Sequence, residues 1–229
     1  AGVGTVVEVG ASISSTKDAV ALSRQYDFVY GAVGVHPEDV ENMTPETVEW
    51  LKELTKEPKI VAVGEIGLDY YYEDPPRQVQ KEWFIRQLEA AKEMKMPVII
   101  HSRDAAQDTL EIMEEHCDWS QGGVIHCFSY SVEMARIYLK KGFYLGIGGV
   151  VTFKNGRKLV EGVKEAPLEQ LVLETDSPYL TPVPNRGKRN DSRQLTHVVD
   201  AIAQIKGISR EEVIRVTEQN ARRMYRIRG

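Results

Sequence analysis

The chain of 229 residues has no long apolar run. Nothing in it approaches the ~18 consecutive apolar residues of a membrane span, so no membrane association is expected. Its two cysteines, Cys117 and Cys127, form neither a CxxC pair nor a disulfide framework, and the expected location is the reducing cytoplasm. The opening "AGVGTVVEVG" lacks a basic n-region and a small-residue cleavage pattern, so no secretory signal is expected. Basic excess is also missing. The formal net charge is −5, and any contact with nucleic acid must be local. There is no low-complexity linker, no internal repeat and no GxGxxG in a strand-to-helix context.

What is present is alternation. Short Val/Ile-rich runs occur at 5–10, 28–37, 59–67, 97–104, 122–129, 143–150 and 171–178, as expected of strands buried on both faces. Between them lie helix patterns. "TPETVEWLKELTKE" offers Thr44 as N-cap and Pro45 at the first helical position. "RQVQKEWFIRQLEAAKEMKM" places Val79, Trp83, Leu88 and Ala91 on one face, and "SVEMARIYLKKG" opens on Ser131 and closes on Gly142. "SREE" at 209–212 reads as a capping box. Repeated strand–helix units predict an α/β fold with parallel strands and right-handed crossovers. The expected architecture is a TIM-type (β/α) barrel, one domain over residues 1–229. Seven of its eight strands are identifiable, and the first is expected upstream of Ala1. An open doubly wound sheet is the alternative.

The runs end in titratable residues: His36, Glu65, His101, His126 and Asp176. Strand alternation groups Val61, Val63 and Glu65 on one face, Ile99 with His101, Val124 with His126, and Val172 with Glu174 and Asp176. Five histidines scattered at random would put roughly 0.5 in the strand-end windows of such a barrel, whereas three are found there. His116 and His197 fall in helix patterns and receive no role. Three imidazoles and two carboxylates suit a divalent metal such as Mg, Mn, Zn or Ni. A cation would also account for Glu65 at the end of a buried strand; a salt bridge with Arg103 is the competing account, and Glu174 below Asp176 is open to the same reading. The loop after the last run, "SPYLTPVPNRGKRN", carries Arg186, Lys188 and Arg189 within four residues, a candidate phosphate loop. Tyr70, Tyr71 and Tyr72 sit beside the Glu65 strand end, where they are placed to stack bases or to pack under the loop.

The segments "GVHP" (34–37), "GEIGLDYY" (64–71), "PVIIHSRDA" (97–105), "VIHCFS" (124–129), "GIGGVVTF" (146–153), "VLETDSPYL" (172–180) and "RGKRN" (186–190) resemble, in order, the TatD family of metal-dependent deoxyribonucleases. The resemblance runs to "TEQNARRMY" (217–225). It implies a barrel with one or two divalent ions, ligands Glu65, His101, His126 and Asp176, and Asp176 acting on the attacking water. It places His36 near the site against substrate phosphate. Arg103, Arg186, Arg189 and Asn190 are the expected phosphate contacts. The implied activity is phosphodiester hydrolysis in DNA, from a 3′ end. Two departures stand out. The family's opening D-x-H-x-H strand has no counterpart, so the chain reads as truncated at its N-terminus relative to the family, and "RNDSRQL" replaces the usual Glu-Pro after Arg-Asn. The alternatives are a D-aminoacyl-tRNA deacylase, another amidohydrolase-like ester or amide hydrolase, or a catalytically silent binding protein. A carboxylated strand-end Lys, common in amidohydrolase sites, is not available here.

Overall fold

A computed structural model describes residues 2–228. They form two compact units, one spanning Gly4–Gly123 and the other beginning at Val124. Neither contains a helix long and apolar enough to cross a membrane, among the described residues.

The first unit runs β1 (Val6–Val9), α1 (Ile13–Gln25), β2 (Val29–Val33), α2 (Pro45–Leu54), β3 (Ile60–Asp69), α3 (Arg77–Glu93), β4 (Val98–Arg103) and α4 (Ala106–His116). Its strands pair in chain order and all pairs are parallel. The start signals of α2 act as the sequence indicates: Thr44 accepts from the Thr47 N–H, the two residues form a reciprocal capping box, and Pro45 occupies the first turn. A core of Val20, Val33, Val35, Val40, Met43, Val48, Leu51, Ile60 and Ala90 lies between helices and strands, with Val79 and Trp83 of α3 packed against it. Each buried Val, Leu or Ile there contributes roughly 1.5–3 kcal/mol.

The second unit follows the same grammar: β5 (Gly123–Ile125), α5 (Val132–Lys140), β6 (Tyr144–Ile147), α6 (Arg157–Glu165), β7 (Leu171–Leu173), α7 (Leu195–Lys206) and α8 (Arg210–Met224). Strands β5, β6 and β7 pair in parallel. Ser131 caps α5 through the Met134 N–H, and Ser209 caps α8 through the Glu212 N–H. Phe128, Tyr138, Phe143, Leu145, Ile147 and Val163 form its buried interior. The seven strands expected from the runs are all present among the described residues, and within each unit they pair in parallel.

One expectation about faces fails. Val63 pairs with Val98, but Ile66 pairs with Ile100, so β3 carries one extra residue between these rungs. Such a bulge reverses the alternation. The face of Val63 continues through Ile66 and Leu68, and Glu65 does not share it. After the bulge Gly67 stands opposite His101 and Asp69 opposite Arg103.

Candidate metal centre

In the first unit the bulged end of β3 meets the end of β4. His101 lies between two carboxylates: its Nδ1 is 2.8 Å from Glu65 Oε1 and its Nε2 is 2.9 Å from Asp69 Oδ2. Gly67, between the two acids, is obligatory. Its φ is +150°, and a Cβ there would lie 1.9 Å from the His101 carbonyl oxygen. A side chain at 67 would therefore push β3 and β4 apart where His101 must sit.

His36 follows β2 and caps a 3₁₀ turn, its Nδ1 accepting the Glu38 N–H at 3.2 Å. A neutral imidazole that accepts at Nδ1 carries its proton on Nε2. That Nε2 faces Glu65 Oε1 at 3.6 Å, and the ring stands edge-on to His101 with centroids 4.2 Å apart. His36 thus turns its N–H donor towards the Glu65 carboxylate.

Asp69 is only 1% exposed, yet it is charged. Burial alone would raise its pKa. Hydrogen bonds from His101 and from the Tyr71 N–H, with the Arg103 charge 3.9 Å away, outweigh burial and hold it below the usual carboxylate value. Arg103 therefore pairs with Asp69, not in the salt bridge with Glu65 that was the competing account of that carboxylate.

Helix α3 fixes both sides of this cluster. Gln80 Oε1 accepts the Asp69 N–H at 2.9 Å. One helical repeat further along the same face, Gln87 accepts the Val35 N–H at 2.9 Å and donates to the Val35 carbonyl at 3.0 Å. Both glutamines are buried. The spacing of seven residues, about two turns, lets one helix hold the acid at 69 and the residue just before His36.

The second unit repeats the motif of one imidazole between two acids. His126 Nδ1 is 3.0 Å from Glu174 Oε2, and its Nε2 is 3.3 Å from Asp176 Oδ1. Glu174 Oε1 accepts the Cys127 N–H at 2.7 Å. Gly146 leaves room for this carboxylate; a Cβ there would come within 2.1 Å of Glu174 Oε2. Strand alternation does not carry the pairing of Glu174 with Asp176. β7 stops at Leu173 and Asp176 has φ +58°, so the two acids reach His126 from opposite ring nitrogens along a turned backbone.

Both arrangements fit a divalent cation. A neutral imidazole has one N–H, yet each of these rings meets carboxylate oxygens at both nitrogens. Exchanging one of those protons for a cation leaves the other nitrogen hydrogen-bonded to an orienting acid, the usual environment of a metal-ligating histidine. The donor atoms of His36, Asp69 and His101 lie within 4.8 Å of one another, as do those of His126, Cys127 and Glu174. Mixed N and O donors suit borderline or hard divalent ions.

Of the expected phosphate contacts, Arg186 is exposed with its guanidinium 3.7 Å from the Phe153 ring centroid, and Arg189 is exposed in the same loop. The Arg103 guanidinium lies over the Tyr71 ring, 3.8 Å from its centroid. Asn190 requires correction. It is 2% exposed, its amide donates to the carbonyls of Thr175 and Tyr179 at 2.7 Å each, and its Oδ1 accepts the Asp191 N–H at 2.9 Å. Its polar atoms brace the turn after Asp176 and are not turned to phosphate. Asp69 and Cys127 were not singled out from sequence, and Glu174 was weighed only as an ion-pair residue. The alternation Glu65-x-Gly67-x-Asp69 is the signal that could have found Asp69.

Residues 1–226 match the family model described as TatD related DNase. The metal-dependent hydrolase YabD of Bacillus subtilis (strain 168) is 45% identical over 97% of this chain and 87% of its own length. A 3'-5' ssDNA/RNA exonuclease, TatD of Shigella flexneri serotype 5b, is 34% identical over 99% of this chain and 89% of its own. Among solved structures, the TatD homologue YjjV of Escherichia coli K12 aligns with a TM-score of 0.93 at 28% identity, covering 99% of this chain and 88% of that one. The fold is thus the TIM-barrel-like α/β fold of that homologue, as the strand–helix alternation led one to expect. From the family match and these relatives, the chain belongs to the TatD family and is a metal-dependent hydrolase.

Proposed function

We propose that this protein hydrolyses phosphodiester bonds in DNA, removing nucleotides from a 3′ end, with Glu65, His101, His126 and Asp176 as metal ligands. The observation that carries the reading is the repeated carboxylate–imidazole–carboxylate arrangement, at His101 and again at His126. The family match to DNases and the exonuclease relative supply the substrate class. Divalent ions held by these groups, in either unit, would supply Lewis acidity and bring a water pKa towards neutrality.

The chain's own groups do the rest. Asp176, 32% exposed at its side chain, is the acid of the second cluster open to solvent and accepts the proton of the attacking water. His36 Nε2–H donates to a non-bridging phosphate oxygen. Asp69 and Glu174 hold His101 and His126 in one tautomer and one orientation. Arg186 and Arg189 offset the phosphate charge from the loop after β7, and the outer edge of the Arg103 guanidinium offers further donors.

Asp176→Asn keeps the shape of the side chain and removes the proton acceptor. With Mn²⁺ present, its turnover of a 3′-labelled single-stranded oligodeoxynucleotide should drop by a factor of ~10²–10⁴, the usual contribution of a general base. Undiminished turnover would sink the assignment. Turnover of aminoacyl-tRNA in place of DNA by the unmodified protein would establish the deacylase reading instead.

A further inference from the structure

Beside the first cluster, Tyr71 and Tyr72 stand out in solvent with 57% and 51% of their surfaces exposed. They are not loose. Their rings meet at 4.8 Å and 89°, and the Arg103 guanidinium covers Tyr71 at 3.8 Å and lies 5.9 Å from the Tyr72 ring. The segment that carries them is tied down on both sides. On one side the Tyr71 N–H donates to Asp69 Oδ1 at 2.9 Å, and the Tyr70 hydroxyl donates to Asp108 at 2.6 Å, where Lys81 also pairs. On the other, Gln80 donates to the Pro75 carbonyl at 2.8 Å. A pinned loop could have turned these rings inward, as it does Pro75. It presents them outward instead, two residues from the acid that orients His101.

We infer that Tyr71, Tyr72 and Arg103 form a stacking platform for an unpaired nucleobase of the substrate strand. Planar aromatic and guanidinium faces bind any base by its π-face, and only a base not stacked in a duplex can use them. Glu73 and Asp74, exposed in the same loop, offset the Arg103 charge, whereas a neutral heterocycle needs only the ring and guanidinium faces. The platform therefore makes an end without a paired partner the preferred substrate and is tolerant of sequence. This inference rests on the nuclease reading above and names its substrate form and the residues that select it.

The test separates the two claims. A single-stranded oligodeoxynucleotide with 2-aminopurine at its 3′ end is titrated with the metal-loaded protein and with Tyr71→Ala/Tyr72→Ala. Turnover of the same strand and of one ending in an abasic deoxyribose is then measured. Stacking of one base is worth a factor of roughly 5 to 150. The unmodified protein should quench 2-aminopurine, and the double variant should not. KM on the base-bearing strand should rise ~10-fold or more in the variant, with a smaller change in kcat. The abasic strand should show the same high KM with both proteins. Tyr71→Phe/Tyr72→Phe, which keeps both rings, should restore quenching and KM. Equal KM and equal fluorescence in protein and Ala variant, with DNA still cleaved, would overturn the platform and leave the nuclease standing. Tyrosine-dependent quenching without any cleavage would uphold the platform and remove the nuclease. No binding of the strand by the unmodified protein would overturn the platform.

Discussion

Replacing Gly67 by alanine isolates the contact on which the first cluster depends. The added Cβ would fall 1.9 Å from the His101 carbonyl oxygen, where real Cβ contacts do not come under 3.0 Å, so β3 and β4 must separate by about 1.1 Å. Relief of such overpacking costs ~1–3 kcal/mol. The backbone at φ +150° adds a further ~1–3 kcal/mol once a Cβ is present. A central figure of ~4 kcal/mol lowers Tm by roughly 8–16 °C for a chain of this size. Gly187→Ala is the control: φ is +82° there and nothing lies within 4 Å of the new methyl, so only a backbone cost of ~1–2 kcal/mol applies. Thermal unfolding followed by circular dichroism compares the two. Equal losses of Tm would refute the steric argument, and with it the account of why β3 carries glycine opposite His101.

Four other perturbations have definite outcomes. Gln87→Ala leaves the Val35 N–H and carbonyl without their partner, at ~1–3 kcal/mol each, and should lower the urea midpoint with an unchanged m-value. Phe84→Ala empties a fully buried site in α3 and should cost ~3–5 kcal/mol by the same measurement. Asp108 is held below the ordinary carboxylate pKa by its hydrogen bonds to Lys81 and Tyr70. Its contribution is therefore present above its unfolded pKa and lost as pH falls through the folded value. At 30% side-chain exposure this amounts to under ~1 kcal/mol, so the small Tm deficit of Asp108→Asn at pH 7 should shrink as pH falls below the ordinary carboxylate range. Finally, Mn²⁺ at about 100 times its Kd should add ~2.7 kcal/mol of stability, a rise of roughly 5–11 °C in Tm, and EDTA should reverse it; an unchanged Tm would count for a catalytically silent protein.

The strands and helix starts were legible because each rests on local chemistry. Val/Ile runs and Thr44, Ser131 and Ser209 as caps need only their immediate neighbours. His36, Glu65, His101, His126 and Asp176 stand out in the sequence because they close apolar runs where water-loving groups are costly. What escaped depends on one residue of register. The extra residue in β3 is invisible to an alternation rule, so the face of Glu65 was misassigned and Asp69, in phase with it after the bulge, was passed over. Asn190 misled for a related reason: a polar residue among arginines reads as a ligand contact until the carbonyls of Thr175 and Tyr179 are seen to use its amide. Arg103 showed its charge in the sequence, but its place over Tyr71 is set by packing that letters do not encode.

Because Gln80 and Gln87 ride on one rigid rod, the carboxylate at 69 and the imidazole at 36 share a reference frame. A thermal tilt of that rod carries the two in concert, so their mutual spacing is steadier than either absolute position. Drift that loosened one glutamine's grip would loosen this common alignment, even though neither amide touches substrate.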